Sequence, residues 1–189
     1  MKPLFFSFIF LLTITASQAT PNLNLSSNGQ HLVLNTSEWN RSTHTVKILD
    51  QEGQILYSKE FAITDAATLK KFNVSKLSAG IYKVEVDDFQ YTSRQGFTFA
   101  DGAIKLNANI ETVIKPVIKL SGKILKVNFL NLNHHTIIKL LDPVNNVLYE
   151  GTFDTPAYTK QFNLSSLEKG IYTVVIAQEK ERFVNNIEL

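Results

Sequence analysis

The strongest constraint on the fold of this chain is an internal duplication. Residues 71–86 read KFNVSKLSAGIYKVEV and residues 161–176 read QFNLSSLEKGIYTVVI, and eight of the sixteen aligned positions are identical. The similarity continues upstream, where VKILD at 46–50 is matched by IKLLD at 138–142. The chain is therefore expected to contain two copies of one structural unit.

Each copy divides into short segments that carry strand signals. These segments are rich in β-branched and aromatic residues, alternate in part between apolar and polar positions, and are separated by turn-forming residues. Gly53 in the first copy, and Asn145 or Asn146 in the second, can adopt the positive φ that a hairpin turn requires. The segments of the second copy lie near 117–121, 124–130, 136–142, 146–153, 159–164, 170–177 and 182–188. We therefore predict an all-β protein with two tandem immunoglobulin-like β-sandwich domains of about seven strands each.

The amino terminus has the pattern of a cleaved secretory signal. Lys2 precedes a short apolar run, and Ser17-Gln18-Ala19 supplies small residues at the cleavage positions, which assigns residues 1–19 to the signal peptide. The apolar run is too short to span a bilayer, so no transmembrane segment is expected after cleavage.

The remaining chain is divided by the duplication. The first sandwich domain covers residues 20–101 and the second covers 116–189. Residues 102–115 form the connector between them. They alternate between apolar and polar side chains, which predicts an extended segment that can join a sheet.

The most similar part of the two copies is interpreted as a structural crossover between sheets. The leucine is expected to fill the space under the crossover, and the glycine to adopt a backbone angle closed to residues with a β-carbon. The tyrosine is expected to return its hydroxyl to crossover backbone groups, as in a tyrosine corner. These positions are Leu77, Gly80 and Tyr82 in the first copy and Leu167, Gly170 and Tyr172 in the second.

Composition excludes several classes of function. The chain has no cysteine, so disulfides, thiolate metal sites, a cysteine nucleophile and a lipoprotein anchor are all excluded. Lysine and arginine together number 19 against 17 acidic residues, and the basic residues are dispersed, which does not suit a nucleic-acid groove. No G-x-S-x-G nucleophile motif occurs. The sequence therefore predicts a protein that is not an enzyme and has no cofactor.

Trp39 and Arg41 are the candidate contact residues for a ligand or partner. Trp39 is the sole tryptophan and lies in a polar stretch of the first copy. Its ring could stack on a sugar or a partner side chain, or it could cover one end of the sandwich. No metal site is expected at the adjacent residues His134 and His135, because neighbouring strand residues point to opposite faces.

Acidic residues at two strand ends are candidate calcium ligands. Asp87, Asp88 and Glu179 lie just past the ends of corresponding strands, but a calcium site needs more oxygen ligands nearby. A solvated turn is the preferred interpretation, and no metal is expected.

The motif N-x-S-x-L-x-x-G-I-Y-x-V resembles the C-terminal sorting domain of Bacteroidetes type IX secretion cargo. Leu167, Gly170, Ile171, Tyr172 and Val174 match that pattern, and a V-K-I-L-D…I-L-Y hairpin precedes its first occurrence. The resemblance implies immunoglobulin-like sandwiches and export across the outer membrane. It also implies outer-membrane secretion machinery as a partner.

Two functions follow as expectations. Because the pattern fills nearly the whole mature chain, we expect an exported, non-enzymatic protein with a binding, adhesion or envelope-structural role. It would be secreted or periplasmic, and its partner would be an envelope or extracellular protein or a glycan. In the alternative, the second domain is a sorting signal for the first. Specific activity is expected where the copies differ, at the Trp39 region, the connector and the His134-His135 region.

Overall fold

The computed structural model describes residues 23–37, 39, 43–62, 68–130, 135–179 and 181–189. The predicted signal peptide, residues 1–19, lies outside the described residues. Within them, the secondary structure consists of strands. The strands of the first half are β1 Asn24–Asn28, β2 His31–Asn35, β3 His44–Leu49, β4 Ile55–Phe61, β5 Leu69–Asn73, β6 Gly80–Asp87, β7 Tyr91–Ala100 and β8 Ala103–Ile114. Those of the second half are β9 Val117–Ser121, β10 Ile124–Leu130, β11 Thr136–Leu141, β12 Val147–Phe153, β13 Ala157–Asn163, β14 Ile171–Gln178 and β15 Glu181–Glu188.

Each half forms two antiparallel sheets. In the first domain the strand orders are β1-β2-β5 and β4-β3-β6-β7-β8. In the second domain the corresponding orders are β9-β10-β13 and β12-β11-β14-β15. This arrangement confirms the predicted all-β class with tandem sandwiches.

Alternating side chains build a separate core in each domain. Val46 on β3 and Val84 on β6 are fully buried, and so are their counterparts in the second domain, Ile138 on β11 and Val174 on β14. Because successive strand residues point to opposite faces, these side chains all project from one face of their sheet toward the other sheet. The core of each domain therefore lies between its two sheets.

Residues 102–115, which the sequence predicts to connect the two domains, contain β8, the longest strand of the first domain. β8 pairs antiparallel with β7, from Tyr91 opposite Ile114 to Ala100 opposite Ala103. The register shifts between Gln95 and Phe97, where a β-carbon on Gly96 would collide with the side chain of Asn107. β8 thus forms one edge of the larger sheet of the first domain, and the second domain has no equivalent strand among the described residues.

The crossover residues make matching contacts in the two domains. The Tyr82 hydroxyl donates to the carbonyl oxygen of Ser78 at 2.8 Å, and the Tyr172 hydroxyl donates to that of Glu168 at 3.0 Å. Leu77 and Leu167 are partly buried against their respective cores. The crossover is therefore fixed by side-chain packing together with a bond to its own backbone.

The explanation predicted for Gly80 and Gly170 is wrong. Neither glycine has a positive φ, whereas Gly53 and Asn145, at the hairpin turns, do at 85° and 66°. A β-carbon on Gly170 would lie 2.8 Å from Cγ of Pro143, and one on Gly80 would lie 3.4 Å from the Tyr82 ring. Glycine is favoured at these positions because neighbouring side chains approach closely, most severely at Gly170.

Tyr82→Phe and Tyr172→Phe test the crossover bond. Each substitution keeps the ring but removes one hydrogen bond, so we expect a loss of about 1 kcal/mol in the free energy of unfolding of the affected domain. Urea denaturation monitored by tyrosine-sensitive near-ultraviolet circular dichroism measures the loss. Tyr57→Phe is the control, because the Tyr57 hydroxyl has no hydrogen bond within the described residues. An equal loss in Tyr57→Phe would contradict a specific role for the crossover bond.

Candidate functional site

Trp39 packs against the first domain's core. Its ring stacks on the His44 ring with centroids 4.3 Å apart and an interplanar angle of 11°, and its centroid lies 6.3 Å from that of Phe61 in an edge arrangement. His44 is buried, with Nε2 3.5 Å from Oδ2 of Asp88. Of the two roles left open for Trp39, these contacts favour covering one end of the sandwich. Arg41 lies outside the described residues, and a ligand contact at either position stays a prediction.

The described residues among the other positions considered contact groups of the protein itself. His135 Nδ1 lies 2.8 Å from Oδ1 of Asp154 on an exposed surface, while His134 lies outside the described residues. Asp87 Oδ1 lies 2.7 Å from the Lys115 amine, and Asp88 accepts backbone hydrogen bonds within a turn. Among the described residues, no three potential metal ligands cluster.

The feature best suited to binding is a groove that occurs once in each domain. In the first domain it opens between the edge strands β4 and β5, which belong to different sheets. In the second domain it opens between the corresponding strands β12 and β13. The cavity volumes are about 290 and 380 Å³, at the small end of ligand-binding clefts. We refer to them as the first and second grooves.

The linings of the two grooves correspond. Every residue that lines the first groove has its counterpart in the lining of the second, and five of the eight pairs are identical. The identical pairs are Leu56/Leu148, Tyr57/Tyr149, Phe72/Phe162, Asn73/Asn163 and Leu77/Leu167. The remaining pairs are Ile48/Leu140, Val74/Leu164 and Lys71/Gln161. The duplication therefore preserves a surface cavity as well as the core.

An aromatic pair forms the floor of each groove. The Tyr57 and Phe72 centroids lie 5.4 Å apart at 73°, and those of Tyr149 and Phe162 lie 4.9 Å apart at 72°. Burial raises the pKa of the Tyr57 hydroxyl above its usual range. These edge-to-face pairs give each groove a rigid apolar floor.

The rims of the grooves expose apolar side chains beside unpaired backbone. Leu56 and Leu148 are each 44% exposed, and their neighbours Ile55 and Val147 are 53% and 52% exposed. β4 pairs only with β3, and β5 only with β2, among the described strands. An edge strand leaves a row of free N–H and C=O groups on its outer side. Exposed apolar residues next to such an edge are typical of an interaction surface.

Each groove also carries a positive charge without a matching acid. Lys71 lines the first groove, and Lys160 lines the second with its amine 5.1 Å from the Tyr149 ring centroid. Neither lining contains an acidic residue. The grooves thus combine apolar, aromatic and cationic groups.

A second feature distinguishes the domains: a row of alternating charges across the first domain's larger sheet. Glu85 on β6 lies opposite Lys47 on one side and Arg94 on the other, with both N–O distances 2.9 Å. Burial raises the pKa of Glu85, but hydrogen bonds from Arg94 and Lys47 outweigh it, so the pKa lies below its usual range. Arg94 also reaches Glu181 of the second domain at 2.5 Å. The row of charges therefore links the larger sheet of the first domain to the second domain through the Arg94–Glu181 pair.

The sequence did not identify the grooves. The ILY and VLY triplets at 55–57 and 147–149 contributed to recognising the duplication, but their outward position depends on β4 and β12 being edge strands. The signal available in the sequence was that both copies place two neighbouring apolar residues before the tyrosine, which breaks the apolar–polar alternation expected of a strand with one buried face.

Comparisons with known proteins place the chain in a family. The model of the family described as Secretion system C-terminal sorting domain matches residues 19–97 and again 121–187. The chain belongs to this family. The two matches agree with a tandem duplication, and a sorting domain of this kind marks an exported protein. No match was found among curated proteins.

The matches among solved structures have low sequence identity and low TM-scores. The BSP domain of a biofilm associated protein is 15% identical with a TM-score of 0.31, over 86% of this chain and 27% of that one. The FN1–FN3 domains of chicken CNTN1 are 10% identical with a TM-score of 0.31, over 87% of this chain and 62% of that one. This chain therefore spans about a quarter of the first structure and less than two thirds of the second. The described part of this chain contains no helix long and apolar enough to cross a membrane.

Proposed function

We propose that this sorting-domain protein is an exported, non-enzymatic binding module whose two grooves each accept an extended segment of an envelope or extracellular protein. The observation that carries the proposal is the repetition of the same lined groove in both domains. Packing of a core does not require exposed apolar rims, whereas recognition of an apolar partner does.

The structure of the groove defines the segment that would fit. A strand laid along β4 or β5 can pair with the free backbone edge, as in β-augmentation, and place alternate side chains in the cavity. The apolar floor suits apolar side chains, and Lys71 or Lys160 suits a carboxylate. The proposed ligand is therefore an extended peptide that alternates apolar residues and carries at least one acidic residue.

Selection from a random peptide library displayed on phage tests this proposal. We expect enrichment of alternating apolar and acidic peptides on the wild-type protein, and loss of binding to the double variant Leu56→Lys, Leu148→Lys. Both leucines are exposed at the rim, so the variant keeps its core. The matched control is Ile81→Lys, Ile171→Lys, which alters isoleucines that lie outside the grooves and are somewhat more exposed than the two leucines. No enrichment, or enrichment that survives the leucine substitutions, would contradict the proposal.

The alternative role, in which the second domain is an export signal for the first, is favoured by the family match at 121–187. Deletion of residues 182–189 removes most of β15. If the second domain is a signal, the truncated protein should accumulate inside the cell envelope. If the protein reaches the same location as wild type while circular dichroism shows that it folds, the signal role is excluded.

A further inference from the structure

β15 has one edge without a strand partner. It pairs with β14 on one side, and no described strand pairs with it on the other. Its counterpart in the first domain, β7, is covered at the same edge by β8. The duplication therefore shows that this edge can accept another antiparallel strand, and that the second domain leaves the place open.

The pattern of backbone hydrogen bonds between β14 and β15 identifies the residues of β15 whose N–H and C=O groups point to the open edge. Gly170 and Leu189 exchange both backbone hydrogen bonds, at 3.0 and 3.4 Å. Bonded and non-bonded pairs alternate along antiparallel strands. The odd-numbered residues of β15 therefore bond to β14, and the even-numbered residues direct their N–H and C=O groups outward. The outward set is Arg182, Val184, Asn186 and Glu188.

The sequence of β15 is complementary to itself in one register. An added antiparallel copy of β15 must pair outward residues with outward residues. One register uses all four outward residues. In it, Arg182 lies opposite Glu188 and Val184 lies opposite Asn186, and Asn185 lies on a two-fold axis. Closed two-fold symmetry of this kind is the commonest form of protein self-association.

Side chains on both faces support this register. Arg182 and Glu188 would form two symmetry-related pairs of opposite charge, and neither has an ion-pair partner within the described part of the chain. On the inner face Phe183 would lie opposite Ile187, and both already pack in the second domain's core. Sliding the strands by two residues either way replaces the Phe183–Ile187 pair with one that contains Asn185 and breaks both charge pairs.

We propose that two copies of this protein associate through their β15 strands, edge to edge and antiparallel, so that their larger second-domain sheets become continuous. The partner is a second copy because the charges and the apolar residues of β15 match the same strand reversed. The interface is independent of the two grooves.

Sedimentation equilibrium of the purified protein tests the dimer. We expect a concentration-dependent dimer in wild type. Arg182→Glu should raise its dissociation constant by at least about tenfold, since two attractive pairs become repulsive. The charge-swapped double variant Arg182→Glu, Glu188→Arg should restore dimerisation. Val184→Pro removes an outward N–H without touching the bonds to β14, so it should abolish the dimer while the fold persists.

A crosslink tests the register itself. Asn185→Cys on the two-fold axis would face its own copy across a non-bonded pair, where Cα atoms lie about 4.5 Å apart and a disulfide can form. The chain has no other cysteine. With diamide as the oxidant, Asn185→Cys should form a covalent dimer, and the control Asn186→Cys should form little. A monomer at all concentrations, a dimer indifferent to the charge variants and to Val184→Pro, or equal crosslinking at both cysteines would overturn the proposal.

Discussion

Phe97→Ala is expected to lower the unfolding temperature of the first domain by roughly 15 °C or more while leaving the second domain's transition in place. Phe97 is fully buried, and its ring stacks on Tyr82 with centroids 5.4 Å apart. Truncation of a buried phenylalanine costs about 3–5 kcal/mol through lost burial and the cavity left behind. Each kcal/mol corresponds to roughly 4–8 °C in a domain of this size. Differential scanning calorimetry measures both transitions.

The duplication supplies the matched control for this prediction. Ile187 on β15 occupies the position of Phe97 on β7, since each lies opposite the crossover tyrosine of its own domain. Ile187→Ala should therefore lower only the second domain's transition. If either substitution shifted both transitions equally, the two sandwiches would unfold as one cooperative unit, and separate cores would be the wrong description.

Arg94→Met is expected to cost the first domain about 2–3 kcal/mol. The substitution leaves Glu85, which is 9% exposed, with one cationic partner in place of two. The loss is costly because Glu85 stays shielded from water but loses one of the two cations that compensate its charge. Urea denaturation measures the loss. Lys139→Met is the control, because the side chain of its partner Glu150 is 49% exposed and surface pairs contribute less than about 1 kcal/mol.

The same charge row predicts a pH dependence. The pKa of Glu85 is lowered in the folded protein, so its stabilising contribution is present above the ordinary glutamate value of 4.5 and is lost as pH falls through the lower folded value. Arg94→Met should raise that pKa and weaken this acid-dependent loss. A first domain whose stability falls equally steeply below pH 4.5 in wild type and in Arg94→Met would contradict the role assigned to the row.

Local features of the chain were predictable because they depend on residues close in sequence. The alternation within 124–130 and 136–142 predicted β10 and β11 almost to the residue. Positive φ was predicted at Gly53 and at Asn145 or Asn146 for the same reason, and Gly53 and Asn145 adopt it.

Features that depend on distant residues were not predictable in the same way. The requirement for Gly170 comes from Pro143, which approaches it only after β11 and β14 have paired. Alternation in residues 102–115 predicted an extended segment. It did not predict that β8 pairs with β7, because that pairing depends on the arrangement of the whole sheet. The grooves were missed for a related reason. Whether Leu56 faces a core or an open cleft is decided by the position of β4 at the edge of its sheet.

The grooves move the candidate binding site from positions where the two copies differ to positions that they share. Activity was expected where the two copies differ, yet the cavity with exposed apolar rims lies where they agree. A duplicated binding groove gives a chain two equivalent sites, and two linked sites bind a repeated partner more tightly than either site alone.

Isothermal titration calorimetry with a peptide obtained from the library selection tests the central claim most directly. The account predicts two peptides bound per wild-type chain, one per chain in Leu56→Lys and in Leu148→Lys taken singly, and none in the double variant. A stoichiometry that is unchanged by both leucine substitutions would show that binding lies elsewhere and would contradict the account.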